Sequence, residues 1–201
     1  MCNTALDMQR DPVYASTVNN LVARTSKVEY GGESQSWHLV HYLVEEIGLD
    51  KVRDAVKNPL KMNIAAYYGP DMQREGACAG DDPFMPTYME QLIEALGGTP
   101  IDYESKCNSV GSTSMLTLED SSLAMTAAVL SDAIQSGADL IVSACTISHI
   151  NLDSYQSKAG RVAGKNTIVP VCHLSELVAF ALGFYPDRLA QLRTRVRLIG
   201  S

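Results

Sequence analysis

The chain has 201 residues, 46% of them hydrophobic and 19% charged, with a formal net charge of −7 and a pI of about 5.0. That length suits one domain, or one domain with an extra arm, and the acidic balance speaks against nucleic acid or an anionic membrane as the main partner. No apolar run reaches the roughly 18 residues of a membrane span, no charged-then-apolar leader opens the chain, and five cysteines, an odd number and widely scattered, do not make a disulfide scaffold.

A cytoplasmic location is the default expectation, with peripheral attachment to a membrane-bound complex as the other. In that compartment cysteines read first as metal, redox or core residues. The one basic group, Arg188, Arg193, Arg195 and Arg197, reads as a solvated helix face or a dock for an acidic partner.

In chain order, residues 1–60 read as a helical arm or linker. Val18, Leu21 and Val22 give weak helical periodicity between Val13 and Arg24. Ser34 or Ser36 suits the N-cap of a stronger helix, WHLVHYLVEEIG, which Gly48 ends, and LDKVRDAV adds a short helix before Pro59.

Residues 61–201 then alternate between strand and helix. Met62–Tyr68 is a buried strand opening into the Gly69–Pro70 loop, and Pro86 starts a helix to Leu96 that Gly97–Gly98 closes. Pro100–Tyr103 is a short strand, Glu104–Ser114 a polar loop, and Leu116–Ser136 a long Ala-rich helix. Asp139–Ala144 is the third strand, followed by a helix from about Ser148 to Ala159. Thr167–Val171 is the fourth strand, and helices over Ser175–Leu182 and Asp187–Leu192 finish the chain. Such alternation predicts an α/β fold, a small parallel sheet with flanking helices, whose functional groups gather at the carboxyl ends of the strands.

Three of those strand ends carry the informative text: YYGP at 67–70, SKCNSVG at 105–111 and SACTISHINLDSYQ at 143–156. Pro70, Cys107 and Cys145 are almost evenly spaced. This layout resembles the cysteine-rich domain found in the family of the heterodisulfide reductase B subunit, which also occurs in components of some succinate dehydrogenases, thiol-dependent fumarate reductases and glycolate oxidases. The family pattern is a lone cysteine, then Cys-Cys-Gly, then Cys-x-x-Cys. The flanking segments DDPFMPTYMEQLIEALGGTPIDY, GADLIVSAC, NLDSYQ and PVCHLSELVAFALG carry the same resemblance. It covers almost the whole chain: Met1-Cys2-Asn3 resembles the end of a preceding repeat and WHLVHYLVEEIGLDKV the helix connecting two repeats. The chain is therefore expected to be the second repeat plus the linker, with nearly all of the first repeat missing.

The departures from that pattern bear on chemistry. Pro70 replaces the lone cysteine, Asn108 and Ser109 follow Cys107 where cysteine and glycine are expected, and Ser148 stands at the last ligand position. Cys2 matches one ligand of the earlier repeat, while Ala5 stands at its partner's place. An iron–sulfur cubane ordinarily takes four thiolates, and the family's noncubane clusters use five. Only Cys107 and Cys145 remain, so the resemblance implies a degenerate [4Fe–4S] site, loss of the cluster, and loss of heterodisulfide reduction with it.

Other residues compete with blander readings. Cys107 and Cys145 are small buried residues unless they form a disulfide, a redox pair or another metal site. His149 could complete a Cys107–Cys145–His149 zinc site that lacks an evident fourth ligand. Cys78 reads as a loop thiol, and Cys172 beside His173 is placed to point away from it. His38 and His41 share a helical face at the core edge. Asp81-Asp82-Pro83 reads as a helix-entry cap, and Gly76–Gly80 lacks the strand-to-helix context of a phosphate loop.

The expected function is a structural or altered subunit of a redox or electron-transfer complex, with no catalysis of its own. It would dock to iron–sulfur or flavoprotein subunits or to its own copy. The alternatives are a small thiol- or metal-dependent redox protein built on Cys107 and Cys145, and a cluster shared with a partner chain through Cys2.

Overall fold

The computed structural model describes residues 3–26, 30, 37–69, 72 and 80–184. Pro70, Cys2, Cys78, Ser34, Ser36, the run 76–79, the expected helix at 187–192 and the four C-terminal arginines lie outside the described residues. The chain divides into two compact units, Met1–His38 and Leu39–Ser201.

In the first unit, α1 (Asn3–Arg10) precedes α2 (Pro12–Val22). Asp11 separates them. Its carboxylate accepts from the backbone N–H of Val13 at 2.8 Å and of Tyr14 at 3.2 Å, while Pro12 occupies the first helical position. Asn19 on α2 exchanges two 3.0 Å bonds with the backbone of Tyr30.

The second unit begins earlier than an arm ending at residue 60 would place it. Its first helical segment, α3 (Leu39–His41), continues as a π-helical stretch over Tyr42–Gly48 and then as α4 (Leu49–Ala55). Val40, Val52 and Leu60 are buried in the same core as the sheet. Burial of those apolar side chains makes this segment part of the α/β body.

After it come β1 (Asn63–Tyr67), α5 (Tyr88–Ala95), β2 (Thr99–Ile101), α6 (Glu119–Gln135), β3 (Leu140–Ser143), α7 (Thr146–Ser154), α8 (Gln156–Ala163), β4 (Val171–His173) and α9 (Leu174–Ala181). The strands form one four-stranded parallel sheet in the order β2–β1–β3–β4. The expected α/β architecture is present. Pro100 sits on β2, an edge strand, where a missing N–H is tolerated.

Period-two alternation separates two cores. Ile64, Ala66 and Tyr68 pack with α5 and α9 on one face. Ala65, Tyr67, Ile141 and Val171 pack with Val129, Leu130 and Ala133 of α6 and Leu152 of α7 on the other. The chain leaves β1 through α5 on the first face and leaves β3 through α7 on the second. The adjacent ends of β1 and β3 are therefore a topological switch point, where an open α/β sheet presents a crevice.

Three elements differ from the sequence expectation. The fourth strand pairs only over Val171–His173, because Val169 spends its backbone groups on Gln156, which accepts from its N–H at 3.1 Å and donates to its carbonyl at 2.8 Å, and the Thr167 hydroxyl bonds the Gln156 carbonyl at 2.7 Å. The helix expected over 148–159 starts at Thr146, breaks at Tyr155 and resumes to Ala163. The expected loop at 104–114 contains short 3-10 turns at Glu104–Cys107 and Ser112–Ser114.

Candidate functional site

The parallel strands bring the ends of β1, β2 and β3 to one edge of the sheet, and backbone bonds hold them together. Tyr68 N–H donates to the Lys106 carbonyl at 3.1 Å, and Ala144 N–H donates to the Tyr67 carbonyl at 3.3 Å. Gly69 turns the chain away from β1 with φ of +73°, a conformation that favours glycine. Its Cα lies against the neighbouring strand end. A Cβ at this position would lie 2.7 Å from Cys145 Cβ and 3.4 Å from Ser148 Oγ.

Cys145 has extended backbone at the N-cap of α7 and is 6% exposed. Ser148, three residues on, is buried on the same side of the first turn, and His149 N–H closes that turn on the Cys145 carbonyl at 2.9 Å. Cys107 ends the 3-10 turn after β2, partly buried against the first core. Asn108 and Ser109 follow it at the exposed rim.

Tyr67 occupies the point where these segments meet. Its ring is fully buried, and its hydroxyl donates to the Asn108 carbonyl at 2.9 Å. Ser148 and Val110 lie beside the phenol. Burial pushes the Tyr67 phenol up to about 12. Ser148 opposes that shift, and the neighbouring Cys145 and Cys107 reinforce it. Tyr67 is thus a buried group where these segments meet. Behind it, the Val110 carbonyl accepts from Thr126 Oγ1 at 2.9 Å and Asn151 Nδ2 at 3.0 Å, which fixes the loop after β2 to α6 and α7.

On the opposite sheet face, the Tyr68 hydroxyl donates to Glu90 Oε2 and accepts from Met89 N–H at 2.9 Å. Glu90 Oε1 receives Lys106 Nζ at 2.9 Å. Burial and the adjacent Glu90 carboxylate push the Tyr68 phenol well above its ordinary range. Burial works against the Lys106 charge, but Glu90 outweighs it and the ammonium is held above its ordinary value. This network locks Lys106, the residue before Cys107.

His149 meets a residue from another element. Its ring packs edge-on against His173 at the end of β4, with centroids 5.8 Å apart. Burial and then the proximity of His149 hold the His173 imidazole below its usual value. Among the described residues, no group of three or more His, Cys, Asp or Glu side chains is placed to hold a metal ion, so Cys107, Cys145 and His149 do not assemble the three-ligand zinc set. Cys172 lies in the first core while His173 faces His149, as alternation requires. His41 is buried against Tyr88 at 5.9 Å.

Sequence reasoning singled out Cys107, Asn108, Cys145 and Ser148 and missed Tyr67, Gly69 and His173 as parts of the same region. The available signal was positional. Tyr67 is an inward residue of β1 two places before Gly69, and His173 ends the strand next to β3.

No family model matches the chain. Among curated proteins, it is 28% identical over 192 residues to the B subunit of the ferredoxin:CoB-CoM heterodisulfide reductase of Methanosarcina mazei, covering 94% of this chain and 64% of that protein. A protein named as like the heterodisulfide reductase B subunit, from Archaeoglobus profundus, is 27% identical over 91% of this chain and 63% of its own length. The chain is similar to heterodisulfide reductase B subunits over nearly its whole length. The family resemblance extends to the 8-methylmenaquinol:fumarate reductase membrane anchor subunit of Wolinella succinogenes, 30% identical over 168 residues, 83% of this chain and 58% of that one. The chain spans less than two thirds of the length of these curated relatives. A crystal structure of a hypothetical protein from Helicobacter pylori matches with a TM-score of 0.67 and 13% identity over 94% of this chain and 34% of the other, a likeness of fold.

Proposed function

We propose that the chain is a subunit of a multi-subunit oxidoreductase complex and serves there as a structural or altered component. The observation that carries this reading is the donor set at the strand-end site. Cys107 and Cys145 supply thiols, Asn108 an amide and Ser148 a buried hydroxyl. Pro70, at the remaining family position, has no side-chain donor. A cubane ordinarily needs four thiolates. Hydroxyl and amide oxygens are poor substitutes for soft thiolate ligands. The residues present do not fit an iron–sulfur cluster, and no electron-transfer step runs through one.

The named relatives are subunits of reductases, which supports a complex as the setting. A docking role also fits the apolar side chains exposed near the site, with Ile147 and Ile150 of α7 at 52% and 55% exposure and Leu116 at 97%. Among the described residues, no helix is long and apolar enough to cross a membrane.

Affinity purification of the tagged chain from its own cells tests the role directly. The expected result is stoichiometric recovery of other redox subunits, iron–sulfur or flavin-bearing. Recovery as a monodisperse species without partners contradicts it.

A second reading rests on one observation, the placement of Cys107 and Cys145 in the segments that follow β2 and β3 at the same edge of the sheet. In it the two thiols cycle between dithiol and disulfide. A thiol count that falls by two on mild oxidation, without loss of fold, would favour that reading.

A further inference from the structure

We propose that the cavity beside the C-terminal end of α8 is a binding site for a phosphorylated small molecule. It lies where the chain enters β4, at the edge of the sheet opposite the strand-end site, and is independent of the chemistry there.

The site is built by a helix that stops and a loop that folds back on it. Gly164 ends α8 in the left-handed conformation, with φ of +63°. Lys165 N–H then bonds the Gly160 carbonyl at 3.1 Å, and the Thr167 hydroxyl bonds the Gln156 carbonyl at 2.7 Å. Gly160 allows this close approach, since a Cβ there would lie 2.6 Å from Thr167 Oγ1 and 2.9 Å from the Lys165 carbonyl. Asn166 Oδ1 accepts from Ile168 N–H at 3.2 Å and holds the turn of the loop. Between helix and loop a cavity of about 390 Å³ opens to solvent, within the range of small-molecule sites.

Its walls carry charge of one sign. Arg161 and Lys165 line it together with Ser157, Asn166 and Ile168, and among the described residues no Asp or Glu does. In a chain with 23 acidic and 16 basic residues, that is a local reversal of sign. Among the described residues neither cation is paired with a carboxylate, whereas Lys158 on the same helix bonds Glu119 at 2.5 Å. The helix dipole favours a cation in the last turn and accounts for Arg161. It does not account for Lys165, which lies beyond the cap and adds a like charge at the same cavity. A phosphate group relieves that repulsion. The guanidinium and the ammonium supply charge-assisted donors to it, and the Ser157 hydroxyl a neutral one. Ile168, 61% exposed, offers an apolar wall for the group esterified to the phosphate.

The test titrates the full chain with phenyl phosphate, inorganic phosphate, sulfate and phenol at constant ionic strength, followed by amide chemical shifts. The expected result is saturable shifts at Gly160, Gly164, Lys165 and Asn166 with phenyl phosphate, weaker binding of inorganic phosphate and sulfate, and no shifts there with phenol. Arg161→Gln and Lys165→Gln should each weaken phenyl phosphate binding about tenfold. The double variant should lose saturation while its thermal midpoint stays that of wild type, because both side chains are exposed. Arg53→Gln, which removes an exposed cation elsewhere, should leave the binding unchanged. Shifts that never saturate, binding retained in the double variant, or equal affinity for sulfate and phenyl phosphate, which marks an adventitious ion only, would overturn the proposal.

Discussion

At the scale of single residues, the strand-end site is governed by small distances. Gly69 combines a left-handed backbone with a close approach to Cys145, so Gly69→Ala adds backbone strain to a steric conflict at 2.7 Å. A loss of about 2 kcal/mol or more is expected in denaturant unfolding, with the urea slope unchanged. Asn151 is a second sensitive position. Its amide donates to the Val110 carbonyl, Ser122 Oγ and Thr126 Oγ1, all buried, at 3.0, 3.2 and 3.3 Å. Asn151→Ala should cost about 2–3 kcal/mol by the same measurement, because it leaves those groups short of a donor inside the protein.

His173 supplies a pH dependence whose sign follows from its environment. Its imidazole is held below the unfolded value of 6.5 by burial and by His149, with the Glu176 carboxylate working the other way. Between the folded and unfolded values the unfolded chain binds more protons, so stability rises with pH through that window and falls as pH drops below about 6.5. His173→Asn keeps an N-cap acceptor on α9 and removes the titration. The difference in thermal midpoint between pH 7.5 and pH 5.5 should therefore shrink in this variant relative to wild type.

Among elements, α5 shows how a loop far from regular structure can set a helix. The Asp81 carboxylate accepts from Asp82, Thr87 and Tyr88 N–H groups at 3.1, 2.9 and 3.1 Å. Asp82 caps the turn before it, accepting from Phe84 and Met85 N–H at 2.7 and 3.0 Å. The helix-entry reading of this acidic pair is the observed one. Asp81→Ala should cost about 1–2 kcal/mol in chemical unfolding, and Asp82→Ala, at an exposed turn, should cost less.

Elements were legible in the sequence where burial imposes a simple pattern. β1 and β3 lie at the centre of the sheet and are apolar runs because both their faces are covered. Glycines mark the ends of the helices before β2 and β3. The π-helical stretch at Tyr42–Gly48 carries no such mark, since an apolar helical face reads the same with either hydrogen-bond pattern. β4 starts later than its composition suggests because Thr167–Pro170 has a strand's composition, yet Gln156 takes the backbone groups of Val169.

For the molecule as a whole, the fold was more legible than the site. The pairs Cys107–Asn108 and Cys145–Ser148 lie far apart in sequence, and a family pattern placed them together. Asn108 bonds the Tyr67 phenol through its carbonyl, and Ser148 lies beside it. Tyr67 was hidden because an aromatic residue in a buried strand reads as core. Only the hydrogen bond of its hydroxyl distinguishes it. His149, one turn beyond Cys145, packs against His173 of β4.

The central claim is that this relative of the heterodisulfide reductase B subunit keeps the family scaffold without a cluster of its own. Iron and acid-labile sulfide content, measured with a visible absorption spectrum on protein purified from its own cells without air, tests it most directly. The account predicts iron and sulfide well below one equivalent per chain and no charge-transfer absorption near 400 nm. Close to four equivalents of each, with that absorption and its bleaching on reduction, would contradict it.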